Sequence, residues 1–265
     1  MFELKMETQV YSFLLKPCTI VIPAYNEESR ISKVLNSVCS FISNNNLPWE
    51  VVVVVDGNDH TSDIVEKYHN YYSFVFLKKS SGRNGMGDAI RRGIVFSKSD
   101  FVIIMDADGS ATLENIVKDL NLLESYDVIN FDRYSSSRNY IPIRRRLASR
   151  GFNVILKALF GLKINDTQCG YKIMKRNVAL SVINKITFSN AFFLTAFFLH
   201  SQRMEVTSTE VPLEYNHTDG SKFNVVMTSI SYLVSITAFI VKNSKLFKYM
   251  PSSLKKLYYR KFRYL

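Results

Sequence analysis

Residues 101–110 read FVIIMDADGS. Five apolar side chains in a row, then two acids one residue apart and a glycine, describe a short strand covered on both faces and the turn that leaves it. Working outward, EVVVVVDGND (50–59) repeats the pattern, and CTIVIP (18–23) is a third such run, followed by AYNEE. Between them the apolar spacing becomes helical. Ile31, Val34, Leu35 and Val38 lie in a helix predicted from Glu28 to about Ile42, with further helices over Thr61–Tyr72 and Met86–Ser97 and a short strand over Phe74–Leu77. Repeated β-α units of this length predict an α/β fold, a mostly parallel sheet with helices on both faces. Beyond residue 110 the pattern is less regular: helices near 143–160, 176–185 and 190–202, and strands around 170–174 and 206–213.

The 265 residues carry 47% hydrophobic and 22% charged side chains, which excludes a disordered chain, a collagen-like repeat and a disulfide-stapled miniprotein. The net charge of +11 is local. Residues 242–265 hold eight basic residues and no acid, residues 133–150 hold six arginines and no acid, and the remainder is slightly acidic. Cys18, Cys39 and Cys169 form neither a disulfide framework nor a zinc motif, which points to a reducing compartment. The first 17 residues do not read as a secretory signal. From Val225 to Val241 there are 17 uncharged residues, fewer than the ~20 of a spanning helix, with Thr228, Ser231 and Ser235 as a polar stripe on one face. This segment is expected to pack as an amphipathic helix on the protein or at a membrane interface. The aromatic-rich basic tail behind it suits an anionic lipid surface; without a nucleic-acid-binding motif, no nucleic-acid partner is expected.

In parallel sheets ligands bind at the carboxyl ends of the strands. Three such ends carry polar punctuation: Pro23 to Glu27, Asp56 to Asp59, and Asp106 to Gly109. Asp106 and Asp108 can share one hard cation, Mg²⁺ or Mn²⁺, whose remaining ligands are water and substrate phosphate; the alternative is a turn that caps the helix before Leu113. Gly85 and Gly87 either bring backbone N–H groups to a diphosphate or permit a tight turn. Asp166 either orients an arginine or caps a turn.

Taken together, VIPAYNEE (21–28), VVVDGNDHTSD (53–63), SGRNGMGDAIRRG (81–93) and MDADGS (105–110) resemble the family 2 glycosyltransferases in order and spacing. DTQCGYK (166–172) and EVPLEYNHTDGSK (210–222) are similar to the branch that charges dolichyl or polyprenyl phosphate, glucosyltransferases above all, with mannosyltransferases as near relatives. The resemblance implies a GT-A (Rossmann-like) fold over 1–224, with 225–265 forming the amphipathic helix and a basic membrane-facing tail. It implies inverting, metal-dependent transfer of glucose or mannose from UDP-glucose or GDP-mannose to the lipid phosphate, at the cytoplasmic face of a membrane, peripherally or shallowly inserted. Pro23, Tyr25 and Glu27 match residues that cradle the nucleotide, and Asp56 matches the aspartate that contacts its base. Asp106 and Asp108 match the acids that bind the metal and the sugar diphosphate, Arg133 and Arg150 match acceptor-phosphate arginines, and Ser221 and Lys222 match a segment that closes over the phosphates.

The chain departs from that pattern at Val55, Met86 and Ser110, and in the segment Ser189-Asn190-Ala191-Phe192, which lacks the acid the family has after Phe188. Two rival readings remain: a related enzyme acting on a glycolipid or polysaccharide hydroxyl, or a non-catalytic subunit that binds a sugar nucleotide. An anionic phosphate acceptor needs no general base, which agrees with the lack of an obvious catalytic histidine. It needs cations, and the guanidinium fork matches phosphate oxygens.

Overall fold

The computed structural model describes residues 10–80, 82–136, 139–216, 225–244, 247 and 249–256. The strands are β1 (Cys18–Tyr25), β2 (Trp49–Asp56), β3 (Val75–Lys79), β4 (Phe101–Ile104), β5 (Val128–Asp132), β6 (Lys172–Lys175) and β7 (Ser208–Pro212). They form one seven-stranded sheet in the order β3-β2-β1-β4-β6-β5-β7. Every neighbouring pair is parallel except the two made by β6, which runs antiparallel to both β4 and β5.

Register fixes where the chemistry sits. Tyr25 pairs with Asp56, so β1 and β2 end level. Ile104 pairs with Val21 and the Met105 N–H still reaches the Val21 carbonyl, so Asp106 leaves the sheet at the same edge. Because β6 is reversed, its first residue, Lys172, pairs with Ile104 and Asn130. The chain entering β6, residues 166–171, therefore also lies at the carboxyl end of the parallel strands.

The apolar runs are buried on both faces because both faces are covered. Ile20, Ile22, Val51, Val53, Val55 and Ile103 pack with the helices Ile31–Asn44 and Thr61–Tyr71. Alternate residues Val21, Val102 and Ile104 pack with the helices Met86–Phe96, Arg176–Ile183 and Phe192–Arg203. Period-two alternation thus feeds two cores from the same strands. The sequence reading overlooked β5, where Asn130 and Asp132 interrupt the apolar pattern, although both are buried. It also carried β4 two residues too far, to Asp106.

The helix Val225–Asn243 lies on the second core, with Ile236, Ala238 and Phe239 buried and the Phe239 ring 5.7 Å from that of Phe160. Ser231 and Ser235 face inward, accepting hydrogen bonds from Asn190 Nδ2 at 3.4 and 3.2 Å. The side chain of Thr228 is outside the described set. Ile230, Leu233 and Ile240 are exposed on the other side. Among the described residues no helix is long and apolar enough to cross a membrane.

Candidate active site

Two loops laced together form the first wall. The Glu27 N–H donates to Thr61 Oγ1 (2.8 Å), the Glu28 N–H to Asp59 (3.1 Å), and the Asn58 N–H to Asn26 Oδ1 (3.1 Å). Asn26 itself sits at φ 54°, a left-handed turn that asparagine tolerates, and it bends the chain away just after β1. Of the sequence-predicted nucleotide residues, Pro23 and Tyr25 line the end of β1, and the Arg83 guanidinium lies 4.5 Å from the Tyr25 ring centroid. The Glu27 carboxylate is gripped by Arg30 at 2.5 Å. Asp56 is buried; its Oδ2 accepts the Asn84 N–H at 3.0 Å, while Oδ1 has no hydrogen-bond partner and stands 3.7 Å from Arg92 Nη1, which has none either.

The glycine-rich segment corrects one expectation. The N–H groups of Gly87 and Asp88 donate to the Ser189 carbonyl at 2.7 and 3.2 Å, so they are not offered to a diphosphate. A Cβ on Gly87 would fall 2.4 Å from that of Phe193 and 2.8 Å from the Asn190 carbonyl. These glycines let the 189–193 segment dock on the helix.

Asp106 and Asp108 stand at the centre of the edge. Asp108 Oδ1 accepts both the N–H (2.9 Å) and the hydroxyl (2.6 Å) of Ser110, so the residue that departs from the family pattern locks the acid in place. Asp106 is half-buried against Gly170, where a Cβ would fall 2.0–2.2 Å from its carboxyl atoms. Withdrawal from water, then the neighbouring charge of Asp108, raises its pKa to about 7. Among the described residues Asp106 forms no ion pair, and no three acidic, histidine or cysteine side chains converge. Two carboxylates that repel each other without a contact cation fit a divalent ion that takes its other ligands from water and phosphate. The following chain is also held: the Tyr171 hydroxyl accepts the Ala111 N–H at 3.1 Å, and the Asn216 N–H donates to the Ser110 carbonyl at 2.8 Å. Ser221 and Lys222, five and six residues further on, lie outside the described residues.

The opposite wall is built on a buried ion pair. Arg133 Nε and Nη2 donate to the two oxygens of Asp166 at 2.7 and 2.8 Å. Burial opposes the guanidinium charge, but Asp166 overrides it and raises the Arg133 pKa. Asp166 thus orients an arginine rather than capping a turn. It is placed in turn by Glu210, whose carboxylate accepts the backbone N–H groups of Asn165 and Asp166 (both 2.9 Å) and the amides of Asn165 (2.7 Å) and Asn130 (2.8 Å). Arg150, the other predicted acceptor arginine, is exposed on the helix Ile143–Phe160 and joins no hydrogen bond or ion pair among the described residues. Arg145, five residues earlier, lies within electrostatic reach of Asp106. Sequence reasoning gave no individual role to Asn130, Tyr171, Lys172 or Glu210, and placed Arg145 only within the run Arg144–Arg146, as a phosphate- or lipid-facing cation. The run DTQCGYK carried the signal for two of them.

Acids and an ion-paired arginine thus meet at one edge of a mostly parallel sheet. The glycosyl transferase family 2 model matches residues 19–182, and the chain belongs to that family. It is 30% identical over 227 residues to a dolichyl-phosphate beta-glucosyltransferase of Trichomonas vaginalis, covering 78% of this chain and 68% of the relative. It is 28% identical over 228 residues to the dolichyl-phosphate beta-glucosyltransferase of Homo sapiens (78% and 69% covered), and 27% identical over 237 residues to that of Saccharomyces cerevisiae (80% and 70%). Among solved structures, glucosyl-3-phosphoglycerate synthase from Mycobacterium tuberculosis in complex with Mn²⁺, UDP-glucose and phosphoglyceric acid superimposes with a TM-score of 0.68. That match has 15% identity and covers 89% of this chain and 82% of that one, a likeness of fold.

Proposed function

We propose that this glycosyltransferase moves glucose from UDP-glucose to the phosphate of dolichol or a related polyprenol, with inversion at the anomeric carbon and with Mg²⁺ or Mn²⁺ held by Asp106 and Asp108. The observation that carries the reading is the pairing at one sheet edge of an acid couple that lacks a contact cation with a guanidinium locked by Asp166. The names of the relatives favour glucose over mannose.

The division of labour follows from charge. A lipid phosphate is an anion at neutral pH, so one of its oxygens can attack the anomeric carbon without losing a proton to the protein. The new carbon–oxygen bond forms as the bond to the diphosphate breaks, on the opposite side of the carbon. Asp106 and Asp108 would hold a divalent cation there, which when bound would neutralise charge growing on the departing diphosphate. Arg133, prevented from rotating by the two bonds from Nε and Nη2 to Asp166, keeps its remaining Nη hydrogens for the acceptor phosphate, and its charge offsets repulsion between two anionic reactants. Arg145 adds positive charge between the two sites. Asp56, with one free carboxylate oxygen, can accept an N–H from the base. Ser221 and Lys222, outside the described residues, are assigned to the donor phosphates by the motif they match alone.

Membrane association fits the surface. The helix Ile143–Phe160 exposes Ile143 (72%), Leu147 (64%) and Val154 (63%) beside Arg144 and Arg150. It packs on the helix Val225–Asn243, with the Phe152 and Tyr232 rings 4.9 Å apart, and that helix exposes Ile230 and Leu233. Neighbouring apolar stripes with basic residues suit a peripheral seat on the anionic cytoplasmic leaflet, where the acceptor phosphate lies.

The test is transfer from UDP-[¹⁴C]glucose into a chloroform-soluble, mild-acid-labile product, with dolichyl phosphate and Mg²⁺ or Mn²⁺ supplied. Product from UDP-glucose and none from GDP-mannose supports the reading. No lipid product from either donor rejects it.

A further inference from the structure

Lys172 is fully buried, and no carboxylate lies within ion-pair distance of it among the described residues. Its ammonium donates to Asn130 Oδ1 at 2.8 Å, to the Cys169 carbonyl at 2.5 Å and to the Thr167 carbonyl at 3.4 Å. Three hydrogens meet three acceptors, which is the pattern of a charged lysine rather than a neutral amine. Burial works against that charge, and Asp166 and Asp106 favour it from a distance. A core needs no such group, since a buried cation without a contact anion is costly and an apolar side chain of similar volume would fill the space.

What the ammonium holds is the turn 166–171. At its start, Asp166 grips Arg133 through two bonds. At its end, the Gly170 backbone lies against the Asp106 carboxyl group, leaving no room for even a methyl group. Both lysine-bound carbonyls, those of Thr167 and Cys169, fall between these two points. Asn130, the third acceptor, donates in turn to the Asp166 carbonyl (3.1 Å) and to Glu210, which holds the Asp166 N–H. The reversed strand β6 begins at Lys172, in register with Ile104 and Asn130, the strands that lead to the two walls.

We propose that Lys172 is a positioning residue of the transfer reaction: by clamping the Thr167 and Cys169 carbonyls it fixes one turn that aims Arg133 at the acceptor and seats Asp106 for the metal. The proposal rests on the functional reading above. It predicts that one uncharged substitution weakens two ligands on opposite walls together, which neither wall's own residues would do.

The test compares full-length Lys172→Met and Lys172→Gln with Ile173→Ala, a neighbour on β6 whose side chain packs in the core on the other face. Two quantities are read: the Mn²⁺ concentration giving half-maximal UDP binding, measured by calorimetry without turnover, and the KM for dolichyl phosphate. Both Lys172 variants fold, and both quantities rise about 10–100-fold, the range expected when support behind a ligand is lost. Ile173→Ala lowers the melting temperature at least as far and moves either quantity by no more than about threefold. The proposal is overturned if the Lys172 variants match Ile173→Ala, if only one of the two ligands weakens, or if neither variant folds, which would make the lysine a core-building residue. Wild-type enzyme that binds Mn²⁺ and UDP but makes no lipid product would overturn the functional reading, and the Mn²⁺ dependence would still report on the Lys172–Asp106 link.

Discussion

The two walls of the cleft handle charge in opposite ways. On the wall assigned to the nucleotide, Asp56 keeps one carboxylate oxygen without a hydrogen bond, and Asp106, near the charge of Asp108, forms no ion pair among the described residues. Toward the acceptor, Arg133, Asp166, Glu210, Asn130 and Lys172 form a continuous buried network in which donors meet acceptors. On the proposed function, the first wall is completed when positive charge arrives with the substrate. The second is complete beforehand and holds its arginine still. Electrostatic preorganisation is therefore concentrated on the acceptor side, while the donor side carries a repulsion that ligand binding relieves.

Several changes break or sharpen this contrast. The largest effect is expected from Arg133→Ala, which strands the buried carboxylate of Asp166. Stability should fall by about 3–5 kcal/mol in denaturant titration, and transfer by roughly a thousandfold. Arg133→Lys should restore little activity, because an ammonium cannot make the paired contact with Asp166. On the donor wall the sign reverses. The raised pKa of Asp106, about 7, means that the folded protein binds a proton more tightly than the unfolded chain does. The carboxylate therefore costs stability as pH rises from about 4 through 7. Asp106→Asn should stabilise the metal-free protein by about 2–4 kcal/mol at pH 8 and by less than half of that at pH 5, while abolishing metal-dependent turnover; a melting series over pH measures this.

Smaller effects lie on the helix Val225–Asn243. Tyr232→Phe removes the 2.5 Å bond to Gln168 and should cost about 1 kcal/mol, seen as a modest drop in melting temperature. The double change Leu147→Ser with Leu233→Ser touches only exposed positions. It should leave the melting temperature unchanged and weaken sedimentation with anionic vesicles by about tenfold, the loss expected when two apolar side chains no longer enter the lipid.

The same contrast explains what could be read from the residues alone. The donor wall was legible because its strands are unbroken apolar runs and its functional residues follow directly at their ends, as at Asp56 and Asp106. The acceptor wall was legible only through single residues such as Arg133 and Asp166. Its strand β5 is interrupted by two buried polar residues, Asn130 and Asp132, and the partners of Asn130 lie some 35–80 positions away, at Asp166 and Glu210. No local pattern reports such pairings. The polar stripe on the C-terminal helix was visible, but not that it turns toward Asn190 and leaves the apolar side outward. Arg150 followed a motif position, whereas the geometry brings Arg145 within reach of Asp106.

The central claim is that Asp106 and Asp108 hold a divalent cation against the donor diphosphate while a lipid phosphate attacks. Its most direct test is the rate of glucose transfer from UDP-glucose to dolichyl phosphate by enzyme stripped with a chelator, before and after Mn²⁺ is restored. Wild-type enzyme should fall by about a thousandfold and recover fully, whereas Asp106→Ala combined with Asp108→Ala should stay inactive at any Mn²⁺ concentration. Undiminished transfer by the stripped enzyme, or by the double variant, would contradict the account.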